Sequence, residues 1–305
     1  MPPRALALIV LLLSAASLGL APILVRLSET GPAAAGFWRL LFALPILALL
    51  TARPIDAGPR TGWGRPSKWM LLAGVFFALD MAFWHYGLTM TSVANATVLC
   101  NLTPVAVTLF GWLVFKETPG RLFMLALGLA MGGAVAMALG ADGRQGANPL
   151  VGDLLSVSVT VWYSAYVLAV KAARNRAGAM QVTLWATVVG VPIMLGAALG
   201  LGEDLIPAGR AGWLACAGLG LVHVAGQGGI AWALGRLPAS VTAVTILIQP
   251  VVAAALGWLI FSETMTPPQM AGGVLVLGAI VLAQWSSRAV KRKTGAEAEA
   301  AAPVP

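Results

Sequence analysis

Asp80 is a carboxylate halfway along an apolar stretch, with Trp84, His85 and Tyr86 following it. A charge at that depth of a bilayer is costly and usually faces a cavity or a partner. It suits a substrate ammonium or a carried proton; the alternative is a neutral, hydrogen-bonded packing residue. Trp84 lies four residues on, hence on the same helical face, and His85 about 100° further round. Aromatics this deep make a wall for a ring or aliphatic cargo, with His85 as hydrogen-bonding or protonatable group, or else they simply pack. Trp162, Tyr163 and Tyr166 form a second aromatic cluster, Trp162 and Tyr166 sharing a face. Arg39 lies about seven residues into another apolar run, roughly 10 Å deep. It can bind a carboxylate, pair with Asp80 or Asp153, or snorkel outward. Asp153 reads as a first-turn helix charge with a structural role. His223, Gln227, Gln249, Asn95 and Asn101 add polar groups near mid-depth, which can hold cargo or join helices.

The same residues exclude other chemistry. No GxxxxGK[ST], HExxH or GxSxG occurs, so nucleotide hydrolysis and a metal or serine hydrolase are not expected. No cofactor or metal is expected either. Cys100 and Cys216 lie in separate apolar runs and read as small packing residues.

The elements that must carry these groups are membrane helices. Hydrophobic residues make up 59% of the 305 and charged ones 10%, against about 25% charged in soluble domains. Ten spans fit, at about 5–26, 32–51, 69–90, 95–115, 122–140, 150–170, 180–201, 211–234, 240–261 and 269–287, each near the ~20 residues a bilayer requires. Arg4 and the small residues at 16–21 resemble a signal peptide. The apolar run continues through Val25, however, and the segment is kept as a helix. The net charge of +8 sits between spans, where it sets topology, and suggests no nucleic-acid partner. With the N-terminus inside, 15 Lys and Arg fall on inner segments and three on outer ones, so both termini are expected in the cytoplasm.

One stretch occurs twice. Residues 104–118 read PVAVTLFGWLVFKET and 250–264 read PVVAAALGWLIFSET, identical at eight of fifteen positions with an offset of 146. The offset also pairs Gly74 with Gly220 and Gly132 with Gly278. The chain is therefore two copies of one unit, bounded at 1–146 and 147–288, with a disordered cytoplasmic tail at 289–305. Five spans per copy is an odd number, so the second copy inserts upside down. Inverted repeats of this kind build many secondary transporters, with cargo near the midplane. The expected fold is all-α: ten transmembrane helices as two inverted five-helix repeats. Pro104 and Pro250 read as paired mid-span kinks serving as hinge or gate. Glu117 and Glu263 end those spans and cap or pair locally. Gly128-xxx-Gly132 and Gly196-xxx-Gly200 read as close helix approaches.

The doubled Pro…GWLxF-x-E-T stretch in two five-helix copies resembles the drug/metabolite transporter superfamily, of the EamA type, over nearly the whole chain. The aromatic-rich third and sixth spans resemble the aromatic amino-acid exporter group. The resemblance implies a bacterial-type inner-membrane exporter of amino acids, aromatic and hydrophobic ones favoured, with a central cavity lined from both halves. Its partners would be a small-molecule cargo and membrane lipid, with a monomeric chain. The alternatives are a permease of drugs, nucleosides or sugars on the same fold, and a receptor or assembly subunit that binds without transport. An intramembrane enzyme lacks a catalytic set.

Overall fold

A computed structural model describes residues 3–53, 63–91, 99–116, 119–139, 148–261 and 266–300, all within or between helices. Asn95, Glu117 and Glu263 lie outside the described residues. Among the described residues, seven helical segments are long and apolar enough to cross a membrane, and three shorter apolar ones accompany them. In chain order the first span is broken into Pro3–Leu18 and Ala21–Leu27. Spans two and three are Pro32–Ala52 and Lys68–Met90, span four contains Thr103–Phe115, and span five is Arg121–Leu139. Spans six to eight are Pro149–Arg174, Ala179–Gly200 and Arg210–Leu234. Span nine is broken into Ala239–Ile246 and Ile248–Phe261, and span ten begins Pro267–Ala300. Large apolar side chains such as Leu13, Trp112, Leu113, Leu214, Val274 and Val281 are exposed on the outside of this bundle. Lipid is the solvent that such a surface requires, and helices satisfy the backbone internally within it.

The packing repeats with the sequence. Span three packs on six as eight packs on one; three meets seven as eight meets two; four meets six as nine meets one. Two and seven, four and nine, and five and ten each pair with their own counterpart. Exchange of the halves therefore maps the contacts between them onto themselves, as a pseudo-two-fold relation demands. With five spans in each half, the architecture is two inverted five-helix repeats.

The glycines follow the same rule. A Cβ at Gly74 would lie 2.5 Å from the Ala186 carbonyl oxygen, and one at Gly220 would lie 2.7 Å from Phe42 Cβ. These repeat mates let span three approach seven and span eight approach two. Gly133 and Gly272 hold five against ten: a Cβ on either would come within 2.7 Å of the other's carbonyl oxygen. The GxxxG expectation is corrected here, since Gly128, Gly132, Gly196 and Gly200 have nothing within 4 Å of such a Cβ. A small-residue stripe permits approach, but it does not say which face the neighbour takes.

Two further expectations change. Pro104 and Pro250 do not kink the middle of a helix. Pro104 is the second residue of Thr103–Phe115, and Pro250 the third of Ile248–Phe261. Each stands just after a break in its span, where a missing N–H costs nothing because the first-turn donors lack intrahelical partners anyway. Among the described residues, the prolines beyond the first turn of a helix are Pro45 and Pro192, again near-mates, on the paired spans two and seven. The tail expected to be disordered from 289 stays helical to Ala300. Its Ala, Glu, Lys and Arg are strong helix formers.

Candidate functional site

The polar residues scattered through the sequence converge where spans two, three, six, seven and eight meet. Span three presents Phe77 and Asp80 one turn apart on one face. The Arg39 guanidinium reaches in from span two and sits 5.8 Å from the Phe77 ring centre. From span six, Tyr166 packs on Phe77 with ring centres 5.0 Å apart, and Tyr163 packs on Tyr166 at 5.6 Å. Span eight brings His223 to the same ring at 5.4 Å. Its Gln227 accepts a 2.9 Å hydrogen bond at Oε1 from the Tyr166 hydroxyl. Thr187 on span seven meets His223 Nε2 at 2.9 Å.

Arg39 and Asp80 lie within each other's electrostatic reach, and Tyr163 and Tyr166 share that field. Arg39 and Asp80 form no ion pair with each other. Both are only partly buried despite their depth in the bundle. Asp153 is not the partner of Arg39. It is the fifth residue of its helix, just past the first turn, and accepts a 2.7 Å bond from the Thr91 hydroxyl. Two groups in the cluster have no protein partner: Arg39 Nε and His223 Nδ1. Unpartnered buried groups of this kind are available to a ligand.

Other expected residues border the cluster or lie apart from it. Trp162 inserts between Phe76 and Phe83, with ring centres 6.2 and 6.0 Å away; these two lie four and three residues from Asp80, so the indole packs on the side of Asp80 away from Phe77. Trp84 and His85 lean on each other at 5.0 Å, His85 buried and Trp84 partly so. Asn101 sits at the break before Thr103–Phe115 with Nδ2 unpartnered, and Gln249 is half-buried near the break in span nine. Cys100 and Cys216 are free thiols. Among the described residues no three His, Cys, Asp or Glu gather to hold a metal.

Phe77 and Thr187 belong to the cluster and were not singled out in the sequence. Phe77 was accessible through its i, i−3 relation to Asp80. Thr187 follows Thr183 by one turn, a spacing common in membrane helices for other reasons. Glu203 acts away from the cluster. It links three segments at the bundle end opposite the N-terminus. Its Oε1 accepts from the Tyr86 hydroxyl at 2.6 Å and its Oε2 from Ala34 N at 2.8 Å, at the start of span two. Beside it, Trp38 Nε1 donates to the Leu205 carbonyl at 2.6 Å and Gly209 N to Glu29 Oε2 at 2.9 Å.

A two-repeat helical bundle with an unclosed charge pair at its centre defines a multi-pass membrane transporter. The chain belongs to the EamA-like transporter family, whose model matches residues 5–139 and 150–285. It is 27% identical to the pseudopaline exporter CntI of Pseudomonas aeruginosa over 217 residues, covering 70% of this chain and 73% of that one. An uncharacterized transporter of Archaeoglobus fulgidus is 25% identical over 275 residues, 90% of this chain and 94% of the relative. A crystal structure of another protein superposes with a TM-score of 0.75 at 16% identity, covering 93% of this chain and 99% of that one. That likeness concerns the fold alone.

Proposed function

We propose that this transporter exports amino acids, aromatic and other hydrophobic ones favoured, by alternating access at a central site between the repeats. The observation that carries the reading is that Arg39 and Asp80 share a field without closing an ion pair. A cation and an anion held apart offer one group to a cargo carboxylate and the other to its ammonium. Phe77, Tyr163 and Tyr166 supply ring surface for an apolar side chain. The outward direction rests on the exporter among its relatives. In this reading the repeats comprise 1–146 and 147–288, and Pro104 and Pro250 mark the breaks about which span ends move. His85, Trp84, Trp162, Asn101 and Gln249 line the route or its walls. The chain acts as a monomer in the plasma membrane with both termini cytoplasmic, an orientation supported by the Lys and Arg distribution.

The test is flux of labelled tryptophan, phenylalanine, tyrosine, threonine and methionine in proteoliposomes, with and without a pH gradient. Saturable flux favouring the aromatic members supports the reading. No flux of any member discards the amino-acid assignment while leaving the family intact.

A further inference from the structure

The Thr187 hydroxyl has one hydrogen and two close polar neighbours. It donates to the Thr183 carbonyl oxygen at 2.7 Å and meets His223 Nε2 at 2.9 Å. A carbonyl oxygen cannot donate, so the hydroxyl hydrogen belongs to the Thr183 bond. The contact with the imidazole is then satisfied only if Nε2 carries the proton and Thr187 accepts it. Neutral His223 in this tautomer has a bare acceptor at Nδ1. That atom has no partner, and the residue is 2% exposed. Its ring packs on Phe77, one turn from Asp80.

The geometry points to His223 Nδ1 as a second acceptor for the cargo's amine, its tautomer set by Thr187. This deepens the amino-acid reading and rests on it. Asp80 supplies charge, which any cationic nitrogen satisfies. His223 supplies a lone pair, which only an N–H can use. The site therefore recognises amines that keep N–H donors and rejects quaternary ammonium of the same charge. An aromatic cage of Phe77, Tyr163 and Tyr166 would prefer the opposite, since a permethylated cation sits well on ring faces.

The experiment compares phenylalanine with its N-methyl, N,N-dimethyl and N,N,N-trimethyl derivatives in proteoliposome flux. The wild-type protein should favour phenylalanine over the trimethyl compound by at least about tenfold in kcat/KM, the scale of an unpaired buried acceptor. His223→Leu and Thr187→Val should flatten that preference. His223→Asn, whose side-chain oxygen can stand near Nδ1, and Thr187→Ser should retain it. Equal transport of phenylalanine and the trimethyl compound by the wild-type protein overturns the inference and leaves the amino-acid reading standing. Undiminished preference in His223→Leu and Thr187→Val does the same. Absence of phenylalanine flux in the wild-type protein overturns both. A measurement that needs no variant to fold is nitrogen NMR of histidine-labelled protein in membranes, with only two histidines to resolve. A bare Nδ1 on His223 supports the assignment, and a protonated Nδ1 overturns it.

Discussion

The rings of Phe77 and His223 touch, with centroids 5.4 Å apart, and the two residues stand 146 positions apart, the offset of the repeat. Equivalent positions of two copies can meet only where the axis relating them passes. This pair thus marks the pseudo-two-fold at the centre of the cluster, with an apolar ring from one half and an imidazole from the other. Phe77 also supports Tyr166 and lies under Arg39. Phe77→Ala should destabilise the protein by about 3–5 kcal/mol, the range for deleting a buried ring, and lower flux. Phe77→Tyr should keep most of both. Thermal unfolding in detergent and proteoliposome flux check the pair of outcomes.

Asp80 is a carboxyl group deep in span three and forms no ion pair with Arg39. Asp80→Asn should cut kcat/KM more than a hundredfold, about 2.7 kcal/mol at 1.36 kcal/mol per tenfold. It should leave thermal stability nearly unchanged, because Asn matches Asp in shape and no hydrogen bond or ion pair of the carboxyl is lost. Loss of transport together with loss of folding would assign Asp80 a structural role instead.

Glu203 joins the Tyr86 hydroxyl to the first turn of span two. Glu203→Ala removes both acceptors and should expose that end of the bundle. A cysteine at position 34 in a background lacking Cys100 and Cys216 should then react faster with an impermeant maleimide. Tyr86→Phe, which removes one of the two bonds, should give a smaller increase. Equal labelling in all three proteins would show that Glu203 does not hold this end together.

Gly133 and Gly272 contact each other's backbone, whereas Gly132 and Gly128 face open space. Gly133→Leu should abolish stable expression, because the new side chain must part spans five and ten. Gly132→Leu should be tolerated within about 0.5 kcal/mol, as expected for surface substitutions. Quantified membrane expression and melting temperature separate these neighbours.

What the sequence discloses depends on contrast. Arg39 and Asp80 are legible because a charge in an apolar run is conspicuous. The ten spans and their inversion follow from hydropathy and an odd count. Phe77 and Thr187 are not legible, since a Phe or Thr in a membrane helix is the ordinary case, and only a neighbour from another span gives either a role. Trp162 and Tyr163 illustrate the same limit. Adjacent in sequence, they diverge by about 100°, one toward Phe76 and Phe83 and the other toward Tyr166. The breaks before Pro104 and near Pro250 escape hydropathy altogether, because a break and a kink have the same composition.

The principal packing of spans one to five is against spans six to ten. During synthesis, then, the first half enters the membrane before most of its partners exist. Span five must wait for the last helix to leave the ribosome before Gly133 meets Gly272. Assembly is therefore completed from the far end of the message, and a chain truncated within its final helix would lose the brace of a segment made more than a hundred residues earlier.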